Sequence, residues 1–266
     1  MKTQEFQEIV WEYYRLNKRD MPWRDNTEPY YILVSEIMLQ QTQVDRVKPK
    51  FEMFINAFPD VSSLANAKLS EVLKLWIGLG YNRRAKFLWQ AAQKIEHDFD
   101  GSIPKSLEEL VSLPGIGQNT AGAILAYSYN QPVIFIETNI RTVYFHHFFA
   151  NSIETVSDGE LRELVEITLD TENPREWYWA LMDYGAHLKK LHGGRLSQSK
   201  HYKKQSALKG SLREMRGRVL KALIDGKLTK KQLIKEVMAD ERFALAMESL
   251  QKEELVKKDK DRYLLP

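Results

Sequence analysis

The amino-acid sequence predicts an all-α fold in two lobes, followed by a small α+β module at the C-terminus. Three observations lead there. Apolar residues recur at helical spacing through most of the chain, and period-two alternation is scarce before residue 250. A polar stretch with Ser, Gly and Lys, residues 193–210, separates this helical part from the C-terminal module. The helical part reverses direction often, which divides it into two lobes.

Each element has its own signal, taken in chain order. Residues 5–16 place Phe6, Ile9, Val10, Tyr13 and Tyr14 on one stripe. Residues 30–40 form an apolar-rich helix, and QQTQ after it reads as a turn. Residues 64–78 and 84–99 read as two further helices. SLEE at Ser106 is a capping box ahead of an apolar run. LPGIG, residues 113–117, breaks the pattern, and residues 118–127 resume as a small-residue helix suited to close packing. Residues 139–149, 159–169 and 175–191 complete the set. Beyond the polar stretch, helices are expected over residues 213–223, from a Thr229 cap to 237, and over 241–252. LVKK-DKD-RYLLP then gives two short strands around a turn. Three helices and a hairpin resemble a winged helix.

The chain has 266 residues, enough for two or three packed units. It has no cysteine, which excludes disulfides, thiolate zinc sites, cysteine nucleophiles and cysteine-ligated iron–sulfur clusters. The six histidines show no metal spacing, and the adjacent His146 and His147 cannot share a helix face. No run of 18 apolar residues occurs, and the N-terminus carries acids where a signal peptide needs apolar residues. The expectation is a cytoplasmic monomer without membrane contact. Net charge is only +3, but residues 186–218 hold ten Lys/Arg against one acid, Glu214. Such a strip attracts polyanions, nucleic acid among them, or serves as a solvated linker.

Three segments could carry chemistry. In LPGIG, Gly115 and Gly117 let the backbone turn sharply and approach another surface, and the helix after them offers free N–H groups to a phosphate. In VSEIMLQQTQ, Glu36 sits among Ile32, Leu33, Val34, Ile37, Met38 and Leu39. A carboxyl against an apolar wall has a raised pKa and can donate a proton; on the solvent face it would do neither. Gln40 and Gln41 in the turn could probe base edges, and Tyr81 in GLGY offers an aromatic that stacks on a base or packs internally. In IFIETN, Glu137 follows an apolar run and precedes a helix that Thr138 or Asn139 would cap. That carboxylate could face a developing cation, or simply favour the helix dipole.

Taken together, these segments resemble the helix-hairpin-helix (HhH-GPD) DNA glycosylase superfamily, and within it the MutY-type adenine glycosylases. The resemblance runs from about residue 21 to 186: PWR, PYYILVSEIMLQQTQV, FEMFINAFPDVSSLANA, LWIGLGYNRRAK, LPGIGQNTAGAILAYS, ETNIRTV and ALMDYGA. VSEIMLQQTQV is specific to the adenine branch and LPGIG to the superfamily. Endonuclease III relatives resemble the chain more weakly, since their motif lacks the carboxylate at Glu36.

The resemblance implies a two-lobed glycosylase domain over residues 1–205, with a six-helix lobe at about 23–130 holding the hairpin and a second lobe from 1–22 plus 131–205. Residues 206–266 form the winged-helix-like domain. It also implies that double-stranded DNA is kinked and a nucleotide flipped into a pocket between the lobes. Glu36 matches the acid that protonates the purine, Glu137 the aspartate that stabilises the cationic sugar and orients water, and Asn139 the asparagine that supports it. Arg24, Gln40, Gln41, Thr42, Tyr81 and Asn119 are expected at the base or lesion. Phosphates are assigned to Gly115, Gly117, Gln118, Thr120, Arg141, Lys189, Lys190, Lys203 and Lys204. Asn119 stands where bifunctional relatives place a lysine nucleophile, and no Lys occurs between residues 113 and 122, so a monofunctional hydrolase without lyase activity is expected.

Three departures matter. Glu137 replaces the family aspartate, and its extra methylene displaces the carboxylate by on the order of 1 Å, a shift that can cost about 100-fold in rate. The four cluster cysteines after ALMDYGA are replaced by KKLHGGRLSQSKHYKKQ, which could hold DNA by charge alone. The last 55 or so residues resemble a winged helix where the family carries a Nudix-like domain. The resulting expectation is a monofunctional glycosylase that excises adenine opposite 8-oxoguanine or guanine. It needs no metal or other cofactor, save a monovalent cation that the hairpin could hold. The same chemistry on a deaminated purine or mismatched pyrimidine, or damage binding without cleavage, are the alternatives.

Overall fold

A computed structural model describes residues 1–150, 155–193, 198–200 and 207–266. The chain divides into two compact units, one of residues 1–33, 105–111 and 116–204, the other of residues 34–104, 112–115 and 205–266. This differs from the expected lobes. The N-terminal helices and the helix after LPGIG share one unit, and the C-terminal module is grouped with residues 34–104.

In the first unit, α1 (Thr3–Asn17) buries Phe6, Val10 and Tyr14. It packs on α12 (Pro174–His192) and α11 (Asp158–Thr168). Aromatic edges meet there: the Phe6 ring lies 5.2 Å from Tyr144 and 6.0 Å from Trp177. Tyr144 belongs to α10 (Thr138–Phe148), whose buried Ile140, Val143 and Phe145 fill the same core. Each such side chain contributes about 1.5–3 kcal/mol by leaving water. A short α2 (Pro22–Asp25) starts on a proline at its first turn. α8 (Leu107–Val111) packs on α9 (Gln118–Tyr129), and Ser106 Oγ accepts from the Glu109 N–H at 3.3 Å, as its SLEE sequence requires.

α3 (Pro29–Leu39) runs from one unit into the other. The second unit continues with α4 (Val44–Ala57), α5 (Val61–Ala65), α6 (Leu69–Trp76) and α7 (Arg83–Asp98). The sequence reading names no helix over α4, which carries Pro49 inside it. Proline removes one ladder hydrogen bond, yet buried Val47, Phe51 and Phe54 hold the helix in place. The single helix expected over 64–78 is two, broken at residues 66–68; Asp60 caps α5 through the Ser63 N–H at 2.7 Å.

The C-terminal part is α13 (Leu212–Ala222), β1 (Leu228–Thr229), α14 (Lys230–Glu236), α15 (Arg242–Lys252), β2 (Lys257–Asp259) and β3 (Arg262–Leu264). Its antiparallel sheet has the order β1-β3-β2, with Tyr263 between Leu228 and Lys258. The two-residue β1 adds a third strand to the expected hairpin, giving a small three-stranded sheet beside three helices. Side chains and backbone of this part meet residues 34–104 at several points. Lys86 Nζ donates to Glu253 O at 2.9 Å and meets the Glu254 carboxylate at 2.5 Å; the Ser70 N–H donates to Pro266 O at 3.0 Å. Arg213 Nη1 donates to the Tyr81 hydroxyl at 2.5 Å. Among the described residues no helix is long and apolar enough to cross a membrane.

Candidate functional site

In the first unit, the segment before Glu137 is pinned from several sides. Phe135 is fully buried; its ring lies 4.1 Å from that of Tyr178, whose hydroxyl donates to Val133 O at 2.7 Å. A Cβ on Gly122 of α9 would stand 2.8 Å from Phe135 Cβ, so only glycine lets these elements approach. Asn119, on the same helix, donates from Nδ2 to Ile136 O at 3.0 Å and accepts the Ile136 N–H at 3.3 Å. On the other side α12 crosses α10 at Gly185. A Cβ there would lie 2.2 Å from Asn139 O.

Glu137 is thereby fixed at the N-cap of α10, with extended backbone at φ −100° and ψ 172°. The expected cap, Thr138 or Asn139, lies inside the helix instead. The Glu137 side chain makes no capping hydrogen bond. It keeps some accessible surface, but the protein around its carboxyl raises its pKa above the usual carboxylate range by burial. A helix-capping acid would show the opposite: hydrogen bonds from backbone N–H groups hold a carboxylate ionised.

In the second unit, Glu36 is half-buried on α3, beside fully buried Ser35, Ile37 and Met38. The helix ends at Leu39, and Gln41 takes the left-handed position that glycine often fills, at φ 56°. The turn Gly78-Leu79-Gly80-Tyr81 has φ 104° and 77° at its glycines and 47° at Tyr81. Left-handed backbone costs a side-chain-bearing residue about 1–2 kcal/mol. Its persistence at Tyr81 requires the surroundings to impose it.

Arg84 does so, a residue that sequence reasoning missed. Its buried guanidinium donates to Ile37 O at 2.7 Å, Met38 O at 2.9 Å, Thr42 Oγ1 at 2.9 Å and Gly80 O at 3.1 Å. One side chain thus joins the end of α3, the Gln41–Thr42 turn and the Tyr81 turn. Burial lowers its pKa to about 10, which leaves it charged at neutral pH. Thr42 Oγ1 also donates to Leu79 O at 3.3 Å, and Arg46 donates to Gly78 O. Gln40 Nε2 reaches Gly115 O at 3.4 Å. A Cβ on Gly115, at φ 80°, would lie 2.8 Å from Phe87 Cβ. Gly117, the N-cap of α9, has nothing within 4 Å of the corresponding point.

Several expected site residues have other tasks. Arg24 is buried, and Asp183 Oδ2 and Oδ1 accept from its Nη1 and Nη2, both at 2.8 Å. Arg19 joins through Nε at 2.7 Å, so Arg24 is engaged in an internal ion pair. Asn119 has both amide atoms on the Ile136 backbone, and therefore orients the segment before Glu137. Arg141 is paired with both Asp158 oxygens, Nη2 to Oδ2 at 2.8 Å. Thr42 is bonded within its turn. Of the basic strip, Arg216 is held by Glu253 at 2.5 and 2.9 Å, and Arg218 by Glu214 at 2.7 Å. Lys189 and Lys190 are exposed in the last turn of α12; Lys203 and Lys204 lie outside the described residues. Among the described residues no group of three His, Asp or Glu could hold a metal ion.

The sequence pattern of the HhH-GPD superfamily of base excision DNA repair proteins matches residues 34–166. The adenine DNA glycosylase of Buchnera aphidicola subsp. Baizongia pistaciae is 35% identical over 181 residues, 68% of this chain and 52% of that protein. That of Mycobacterium tuberculosis H37Rv is 36% identical over 181 residues, 67% of this chain and 59% of that protein. The chain thus spans little more than half the length of these relatives. Among solved structures, a thermostable thymine-DNA glycosylase superposes with a TM-score of 0.64 at 26% identity, covering 69% of this chain and 86% of that one. A trapped endonuclease III–DNA covalent intermediate superposes with 0.60 at 15% identity, over 74% and 99%, a likeness of fold alone.

Proposed function

Because this chain belongs to the HhH-GPD superfamily of base excision DNA repair proteins, we propose that it is a monofunctional DNA glycosylase that excises adenine opposite 8-oxoguanine or guanine. The observation that carries this reading is Glu137: a carboxyl fixed by its backbone, not used to cap its own helix, and raised in pKa by burial. Such an anion is costly in the free protein and is stabilised by a cation that forms during reaction. An interaction that strengthens toward the transition state accelerates the chemical step.

In the proposed reaction the Glu36 carboxyl protonates the flipped adenine. The C1′–N9 bond breaks with both electrons going to the base, and the sugar becomes an oxocarbenium-like cation facing the Glu137 carboxylate. Water adds at C1′ and loses its proton to a carboxylate, leaving free adenine and an abasic site. Asn139 supports Glu137 from two residues on. Gln40, Gln41 and Tyr81 are assigned to the base stack. Gly115, Gly117, Gln118 and Thr120 take a phosphate at the start of α9, where the open side of Gly117 leaves room for it. Lys189 and Lys190 add charge. No lysine replaces Asn119, whose amide is committed to Ile136, so no imine with C1′ is expected.

Duplexes bearing A opposite 8-oxoguanine, A opposite G, hypoxanthine, uracil and T opposite G test the reading, with and without hot alkali. Breaks only after alkali, fastest with A opposite 8-oxoguanine, support it. Breaks without alkali contradict the monofunctional assignment. Binding with no breaks on any duplex assigns the protein to damage sensing. A preference for T opposite G, the substrate class in the name of the thymine-DNA glycosylase neighbour, moves the specificity to mismatched pyrimidines.

A further inference from the structure

The winged-helix-like part sends one side chain into the Tyr81 turn. Arg213, second residue of α13, places its guanidinium 5.2 Å from the Tyr81 ring centroid and donates to the hydroxyl at 2.5 Å. Arg84 lies 5.7 Å from the same centroid and is held by its own four acceptors. The ring is therefore oriented by one guanidinium from α7 and one from the C-terminal part. α13 is firmly seated: Met215, Val219 and Leu220 are fully buried, and Ser211 Oγ accepts the Glu214 N–H at 3.3 Å. The contacts of Lys86 with Glu253 and Glu254, and of Ser70 with Pro266, bind this part to the same unit as Tyr81.

The chemistry of the pair is directional. A guanidinium can only donate, so the Tyr81 oxygen accepts and its own proton must point elsewhere. Hydrogen bonds in series polarise one another, which makes that O–H a stronger and better aimed donor. The Tyr81 ring, already flanked by Arg84, becomes a plate with one directed donor.

We propose that Arg213 is a positioning residue for Tyr81, through which the C-terminal part sets how the protein distinguishes the base opposite the one it removes. This rests on the glycosylase reading for its substrate and goes beyond it in naming the device. Ordered aromatics insert into a stack at low entropic cost, and a bulky pair beside a damaged base is the place where a directed donor discriminates.

The test uses the full chain, a duplex with A opposite 8-oxoguanine and a 2-aminopurine next to the 8-oxoguanine, and its counterpart with guanine. In wild type, binding should change 2-aminopurine fluorescence more on the 8-oxoguanine duplex than on the guanine one. Arg213→Ala should remove that difference and cut the ratio of the two binding constants by about tenfold, the scale of one charge-assisted hydrogen bond. Tyr81→Phe should do the same, the double variant no more than either alone, and Arg213→Lys should restore part of the ratio. Equal weakening on both duplexes, with a lower salt slope, would make Arg213 a phosphate contact and overturn the inference. So would additive effects of the two substitutions, or an unchanged signal in Arg213→Ala. Alkali treatment of the same samples reports excision separately. Absence of excision sinks the glycosylase reading, whereas the fluorescence and binding ratios decide the role of Arg213.

Discussion

Gly185→Ala adds one methyl group where α12 crosses the start of α10. Its Cβ would lie 2.2 Å from Asn139 O, 2.7 Å from its carbonyl carbon and 2.9 Å from its Cα, all backbone atoms. No rotamer change relieves such a contact. Ordinary carbon contacts lie near 3.5 Å, so the two helices must part by roughly 1 Å. Glu137 is two residues from the collision and is held on its other side by Asn119 and Phe135, so the shift falls on its carboxylate. Overpacking of this kind costs about 1–3 kcal/mol. Displacing a catalytic group by roughly 1 Å can cost about 100-fold in rate. The expected result is a Tm lower by several degrees, at about 2–4 °C per kcal/mol, and single-turnover excision about 100-fold slower. Gly217→Ala is the control: nothing lies within 4 Å of its Cβ, and in the middle of α13 alanine should stabilise by up to about 1 kcal/mol. Wild-type Tm and a rate within twofold for Gly185→Ala would refute the packing argument.

The same geometry sets other outcomes. Asp183→Asn leaves the buried Arg24 guanidinium poorly paired and should destabilise by about 3–5 kcal/mol, read as a shift in urea midpoint; Arg24→Met with Asp183→Leu should recover most of it. Burial makes the folded protein hold the Glu137 proton more tightly than the unfolded chain does. Its contribution to stability is therefore full below the ordinary value of 4.5 and is lost as pH rises through the raised value. Glu137→Gln should melt higher than wild type at about pH 8 and at the same temperature near about pH 4; a lower melt at both contradicts the burial argument. Replacing Lys189 and Lys190 by alanine should lower the log–log salt slope of duplex binding by about 2 with little change in base preference; an unchanged slope removes them from the interface.

Local chemistry was legible in the sequence, and long-range pairing was not. Ser106-x-x-Glu109 and Thr229-x-x-Gln232 are capping signals whose partners lie three residues away, and both cap helices. The glycines of LPGIG signal a turn, and Gly115 is one that a neighbouring side chain, Phe87, makes obligatory. α4 was not named at all; it forms despite Pro49 because burial of Val47, Phe51 and Phe54 outweighs a lost ladder bond. The ion pairs of Arg24 and Arg141 and the role of Arg84 went unread for one reason. A guanidinium's task depends on its acceptors, and Asp183 lies 159 positions from Arg24 while Met38 lies 46 from Arg84. At Glu137 the motif indicated an acid at a helix start. Only the structure shows that its side chain makes no capping hydrogen bond and that burial raises its pKa.

The most direct test of that assignment is single-turnover release of adenine from a duplex with A opposite 8-oxoguanine, by wild type and by Glu137→Gln at matched, saturating protein. A glutamine keeps the size and the N-cap backbone and removes only the charge. Loss of the charge should slow release at least about 100-fold with duplex affinity held within a few-fold. Release within tenfold of wild type would show that no negative charge at residue 137 is needed when the glycosidic bond breaks.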